Sequence, residues 1–126
     1  MKILIADNLS IVRDNVRQVM ASLPRNTQVD EVADGQSALE KVDSGQYDVA
    51  IIGENIPGIG GLDILQKIRN KHKSTKVLIF SEFPEGQSSL KAFRLGASGY
   101  LSRFSALNVL TVALKHIALG DGYEFN

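Results

Sequence analysis

The residues that could do chemistry stand at the ends of apolar runs. Asp7-Asn8 follow Ile3-Leu-Ile-Ala6, Gly53-Glu54-Asn55 follow Val49-Ala-Ile-Ile52, Ser81 follows Val77-Leu-Ile-Phe80, and Arg103 stands just past Tyr100-Leu101. A strand apolar along its whole length is one buried on both faces, as in a parallel sheet covered by helices. In such sheets ligands and reacting groups gather at the carboxyl ends of the strands. Position 53 is therefore where a side chain would work, and it holds a glycine. A glycine offers no side-chain nucleophile for covalent catalysis. Glu54 is adjacent, but neighbouring residues at a strand end point in different directions.

The elements that must position these groups follow from periodicity. After the first strand, Ser10 reads as the N-cap of a helix with Val12, Val16, Val19, Met20 and Leu23 on one stripe, ended at Pro24. Gln28 to Ala33 is a more polar strand, suited to a sheet edge, and Asp34-Gly35 turns into a helix carrying Ala38, Leu39 and Val42, stopped near Gly45. Past the third strand, Pro57 and Gly58 turn the loop, and Gly60-Gly61 opens a helix with Leu62, Leu65 and Ile68 inward. Beyond the fourth strand a helix begins at Pro84-Glu85 with Leu90 and Phe93 inward. A short fifth strand at Tyr100-Leu101 precedes a last helix from about Ser105, with Leu107, Leu110, Ala113, Leu114 and Ile117, stopped at Gly120. Five strands alternating with five helices predict an α/β fold, a doubly wound parallel sheet in a three-layer sandwich. The flavodoxin-like (βα)5 order 2-1-3-4-5 puts the second strand at an edge and clusters Asp7, Asn8, Gly53, Ser81 and Arg103.

Composition limits the partners. The 126 residues fit one domain, with no second domain expected in the chain, and 14 Lys plus Arg balance 14 Asp plus Glu. No global field attracts nucleic acid or anionic lipid. Without cysteine there are no disulfides or thiolate metal sites, and no apolar run approaches the roughly 20 residues that span a bilayer. A cytoplasmic protein, with no membrane partner, is the expectation.

The pieces Ile3-Leu-Ile-Ala-Asp-Asn8, Asp34-Gly-Gln-Ser-Ala-Leu39, Asn55-Ile-Pro-Gly58 with Gly61-Leu62, and Gly96-Ala-Ser-Gly-Tyr-Leu101 occur in order along the chain. Together they resemble the receiver domain of two-component response regulators over essentially the whole length. The Gly96–Leu101 form, with Leu114 to Tyr123 after it, is similar to the subfamily whose receivers precede a helix-turn-helix domain. The resemblance implies an acidic pair for magnesium after the first strand and a phosphoacceptor aspartate ending the third. It further implies a hydroxyl and a lysine that bind phosphoryl oxygens, and a strand-five aromatic that reports to a partner surface. Carried over, these positions are Asp7 and Asn8, Gly53, Ser81, Arg103 and Tyr100. Three depart from the pattern: Asn8, Gly53 and Arg103.

The departures shape the functional expectation. Magnesium wants hard oxygens with one or two carboxylates. One carboxylate at roughly 4 Å and an effective dielectric of about 20 contributes about 8 kcal/mol before desolvation. With only Asp7, the Asn8 amide oxygen and the Asn55 carbonyl as candidate ligands, magnesium is expected to bind weakly or not at all, leaving no cofactor. Arg103, a rigid fork suited to carboxylates, is expected to lie across the site and pair with Asp7 or Glu54. The chain is then expected to be a non-enzymatic pseudo-receiver in phosphorelay signalling and transcription control, acting through protein contacts. Its partners would be a sensor kinase, an output domain or another receiver, with no direct nucleic-acid contact. The working surface would be the fourth helix, fifth strand and fifth helix, with Leu90, Phe93, Tyr100 and Leu107, and a homodimer could form there. The alternative is phosphoryl transfer to a displaced carboxylate, Glu54 or Asp7. Simpler readings also stand: Asp7 as a helix-capping acid, Ser81 as a turn hydroxyl, Tyr100 as a strand aromatic, and His72 and His116 as solvated surface. The run Lys67, Arg69, Lys71, His72, Lys73 and Lys76 fits a solvated helix end better than a nucleic-acid site.

Overall fold

The computed structural model describes residues 1–82, 87–118 and 123–124. Strand β1 (Lys2–Ala6) leads to helix α1 (Ser10–Gln18), followed by one 3-10 turn at Val19–Ser22. Strand β2 (Gln28–Val32), helix α2 (Gly35–Ser44), strand β3 (Val49–Gly53) and helix α3 (Gly61–Lys71) come next. Strand β4 (Lys76–Ser81), helix α4 (Gln87–Arg94), strand β5 (Gly99–Ser102), helix α5 (Leu107–Ala118) and strand β6 (Tyr123–Glu124) complete the order. The sheet runs β2-β1-β3-β4-β5-β6, every pair parallel. The flavodoxin-like 2-1-3-4-5 order is present, with a sixth strand added beyond β5.

Strand alternation divides the core in two. Leu4, Ala6, Ala50, Ile52, Val77, Ile79 and Tyr100 face the α2, α3 and α4 layer, where Ala38, Val42, Ile64, Leu65, Ile68 and Ala92 meet them. Ile3, Ile5, Val49, Ile51, Leu78, Phe80 and Leu101 face α1 and α5, meeting Val12, Val16, Leu110, Ala113, Leu114 and Ile117. Every residue of β3 is buried, which is why it shows no polar alternation. β2 is only half-buried and pairs on one side alone, as its polar sequence predicts for an edge.

Several local expectations change. Ser10 is not the cap of α1: Leu9 takes that place without a side-chain bond, and Ser10 is the first helical residue. The Asp7 carboxylate instead accepts the Leu9 amide at 2.9 Å, reaching forward from the strand end. The α-helix ends at Gln18, before the 3-10 turn, and not at Pro24. Leu90 does not face inward but is 56% exposed, because α4 turns Ser89 and Ala92 to the core, with Phe93 half-buried beside them. α5 begins at Leu107, after a turn in which the Ser105 hydroxyl donates to the Ser102 carbonyl at 2.8 Å. The helix start at Pro84-Glu85 and the stop at Gly120 lie outside the described residues. Among the described residues, no helix is long and apolar enough to cross a membrane.

Candidate functional site

The carboxyl ends of β1, β3, β4 and β5 meet at one edge of the sandwich. Parallel pairing sets Ala6 beside Ile52, Gly53 beside Phe80, and Ser81 beside Ser102. Asp7 follows β1 and is fully buried; its amide donates to the Val32 carbonyl at 3.1 Å, and its carbonyl accepts Arg13 Nη1 at 2.7 Å. These bonds hold the Asp7 backbone from both sides.

Arg103 fills the centre. Its Nη2 pairs with Asp7 Oδ1 and donates to Asn8 Oδ1 at 2.9 Å, while Nη1 pairs with Glu82 Oε1 at 2.8 Å. The side chain is nearly as buried as its partner, so the pair is formed largely out of water. The expected Asp7 pair thus forms, and the Glu54 pair does not. Glu82 carries no signal in the sequence, where it is only the residue after Ser81; its part depends on how the end of β4 is aimed.

Glu54 is taken by a different partner. Tyr100 is 1% exposed and its hydroxyl donates to Glu54 Oε1 at 2.6 Å. This places Tyr100 inside the molecule and corrects its expected position on a partner-facing surface; the surface residues nearby are Leu90 and Leu107, with Phe93 half-buried. Burial first, and then the Glu54 carboxylate, raise the Tyr100 phenol above its usual 10, while Ser81 and Ser88 hydroxyls bonding the same oxygen pull the other way. Ser81, buried at the end of β4, is therefore joined to Tyr100. A phenol whose folded pKa is raised adds stability that is present below pH 10 and lost as pH rises through the folded value. Glu54→Gln keeps an acceptor but removes the charge. It is expected to move the Tyr100 titration downward, readable as phenolate absorbance; an unchanged titration would show that the carboxylate does not act on the phenol.

The loop after β3 is held by backbone. Glu54 N donates to the Phe80 carbonyl at 2.7 Å, Ile56 N to Gly53 O at 3.2 Å, and Gly61 N to Glu54 O at 3.0 Å. Gly58 has φ +85°, a left-handed turn that suits glycine. Gly61 must be glycine, because a Cβ there would stand 2.4 Å from the Gly53 carbonyl oxygen. Asn55 is exposed. At Gly53 a Cβ would lie 3.2 Å from Asp7 Oδ2 and 3.5 Å from the Ala6 carbonyl. The recess bounded by Asn8, Gly53, Glu54, Phe80, Glu82 and Arg103 has no space for a water-sized sphere.

The residues present do not fit a divalent cation. Asp7 Oδ1 and Asn8 Oδ1 already accept Arg103, and Asp7 Oδ2 is the one site oxygen left buried without a partner among the described residues. The guanidinium supplies the positive charge a metal would bring, and no described group of three or more His, Asp or Glu converges there. Away from this edge, His72 Nε2 lies 2.8 Å from Asp43 Oδ1, joining α3 to α2 rather than standing free in solvent; His116 is exposed.

The sequence matches the response regulator receiver domain profile over residues 3–115. It is 31% identical over 119 residues to the Escherichia coli K12 nitrate/nitrite response regulator protein NarL, covering 94% of this chain and 55% of that protein. It is 26% identical over 121 residues to the E. coli response regulator UvrY, covering 96% and 56%. The chain thus spans about half the length of the curated relatives it matches. Among solved structures it is similar to the signal receiver domain of a Mycobacterium tuberculosis response regulator NarL, with TM-score 0.85, 28% identity and coverage of 94% and 96%. It is also similar to a LuxR-family two-component response regulator from Aurantimonas sp. SI85-9A1, with TM-score 0.87, 29% identity and coverage of 98% and 88%. This chain belongs to the response regulator receiver domain family.

Proposed function

We propose that this receiver signals without aspartyl phosphorylation, through protein contacts that regulate transcription by way of an attached or partner output domain. The observation that carries this reading is Gly53 at the acceptor position, beside an Asp7 already neutralised by Arg103. A phosphoryl group has no nucleophile at position 53 and, among the described residues of the site, no free cation to receive its charge. The nearby carboxylates are engaged: Glu54 accepts Tyr100, and Asp7 and Glu82 pair with Arg103. Those bonds weigh against Glu54 or Asp7 as a displaced acceptor. The working face in this reading is α4, β5 and α5, where Leu90 and Leu107 are exposed. Its partners are an output domain, another receiver, or a kinase that docks without transferring a phosphoryl group, and a homodimer through this face belongs to the same reading. It works in the cytoplasm.

A metal titration tests the site directly. Calorimetry with Mg2+, alone and then with beryllofluoride as phosphoryl mimic, is expected to give no saturable heat at sub-millimolar metal. Saturable sub-millimolar binding would overturn the reading.

A further inference from the structure

Helices α2 and α3 lie side by side on one face of the sheet, and a groove of about 350 Å³ opens between them. Its floor is apolar: Val42 and Ile68 belong to the buried core, and Leu39 packs against it half-buried. Its walls carry opposite charges. Glu40 and Asp43 line it from α2, and Lys67 and Lys71 line it from α3. Helical spacing puts each of these pairs on one side of its helix. At one end the walls meet, with Asp43 Oδ2 3.8 Å from Lys71 Nζ and Asp43 Oδ1 2.8 Å from His72 Nε2. Backbone holds His72 for this clasp: its amide donates to the Ile68 carbonyl at 2.6 Å, and its carbonyl accepts Arg69 Nη2 at 3.2 Å. One turn back the walls stay apart. Glu40 accepts only the Gln36 side-chain amide at 3.3 Å, and neither Glu40 nor Lys67 makes an ion pair among the described residues.

We propose that this groove binds a small zwitterion with an aliphatic body, the chemistry of an apolar α-amino acid. Glu40 receives the ammonium, Lys67 receives the carboxylate, and the aliphatic chain lies on Leu39, Val42 and Ile68. The volume is at the small end of small-molecule sites, which suits a single amino acid better than a nucleotide or a peptide. A wholly apolar ligand would strip water from Glu40 and Lys67 and give neither a partner. An anion would satisfy Lys67 but sit against Glu40, and a cation would do the reverse. A ligand carrying both signs pairs with each wall through charge-assisted hydrogen bonds. The groove also connects inward. Val42 and Ile68 share a packed cluster with Ile52 and Tyr100, and the start of α3 is tied to the loop after β3 by the Gly61 amide on the Glu54 carbonyl. Occupancy would bear on the Tyr100–Glu54 contact with no phosphoryl group. That use as an input rests on the phosphorylation-independent reading; the binding itself does not.

The test titrates L-leucine into the isotopically labelled full chain and follows amide chemical shifts. Two analogues accompany it: isocaproate, which lacks the ammonium, and isoamylamine, which lacks the carboxylate. Leucine is expected to shift the Leu39, Glu40 and Ile68 amides saturably with a Kd of about 1 mM or tighter, and each analogue to bind roughly tenfold more weakly. Glu40→Gln is expected to weaken leucine about tenfold without weakening isocaproate, and Lys67→Gln to weaken leucine about tenfold without weakening isoamylamine. Both side chains are exposed, so neither variant disturbs the core. The proposal is overturned by no saturable shift with leucine, by analogues that bind as tightly as leucine, by variants that weaken every probe alike, or by shifts centred on Arg103. A phosphoryl adduct on the parent, by contrast, would remove the phosphorylation-independent reading and leave the leucine titration standing.

Discussion

Arg103→Met is expected to destabilise the fold by about 3–5 kcal/mol, because it leaves a buried carboxylate without its partner charge. In a domain of this size that is a fall in melting temperature on the order of 10 °C. Asp7 is fully buried, and after the substitution its carboxylate keeps, among the described residues, only the Leu9 amide, with Oδ2 already unpartnered there. Asn8 and Glu82 are nearer solvent and rehydrate at little cost. The Asp7→Asn, Arg103→Met double variant is therefore expected to be more stable than the single one, since no charge is stranded. Thermal melts of the two variants separate the cases. A loss below about 1 kcal/mol for Arg103→Met, in the range of exposed ion pairs, would show that water still reaches Asp7 and that Arg103 is not its essential partner.

Ile52→Ala is expected to cost about 2–5 kcal/mol, and Ile52→Val about 0.5–1.5. Ile52 is wholly buried on β3, between Ala6 of β1 and Ile79 of β4, and packs into the layer beneath α2, α3 and α4. Removing its side chain leaves a cavity that parallel strands, fixed by hydrogen bonds on both sides, collapse around only in part. The residue also sits immediately before Gly53, so the loop bonds from Glu54 to Phe80 and from Gly61 to Glu54 are anchored on it. Denaturant midpoints measure the loss; equal losses for the two variants would place the cost in something other than the cavity.

The strands that build the site are legible because each buried one is an unbroken apolar run, and the polar edge strand β2 stands out against them. The site's membership follows from the same runs, since parallel topology brings their ends together. Less legible are directions that depend on a fraction of a turn. Leu90 has the apolar character of a core residue, yet α4 is rotated so that Ser89 and Ala92 face in. Tyr100 has the amphipathic character of a surface reporter, but a β-strand alternates, and its register puts the ring in the core, where Glu54 meets the hydroxyl. That contact also explains why Arg103 pairs with Asp7 rather than Glu54, a choice that spacing left open. Glu82 carries no pattern of its own. Two residues of β6, in a stretch rich in glycine and acid, are too few to give a strand periodicity.

Under the proposed reading, restoring the family's chemistry takes three changes at once. Gly53→Asp alone would press a Cβ to 3.2 Å from Asp7 Oδ2, with Arg103 still holding Asp7. Arg103→Lys removes the fork that clamps Asp7, and Asn8→Asp returns the second carboxylate. The parent chain and this triple variant should be incubated with Mg2+ and acetyl phosphate, and their intact masses taken. The expected result is no adduct on the parent and one phosphoryl group on the variant. A phosphoryl adduct on the parent, mapped to Glu54, Asp7 or any other carboxylate, would contradict signalling without phosphorylation.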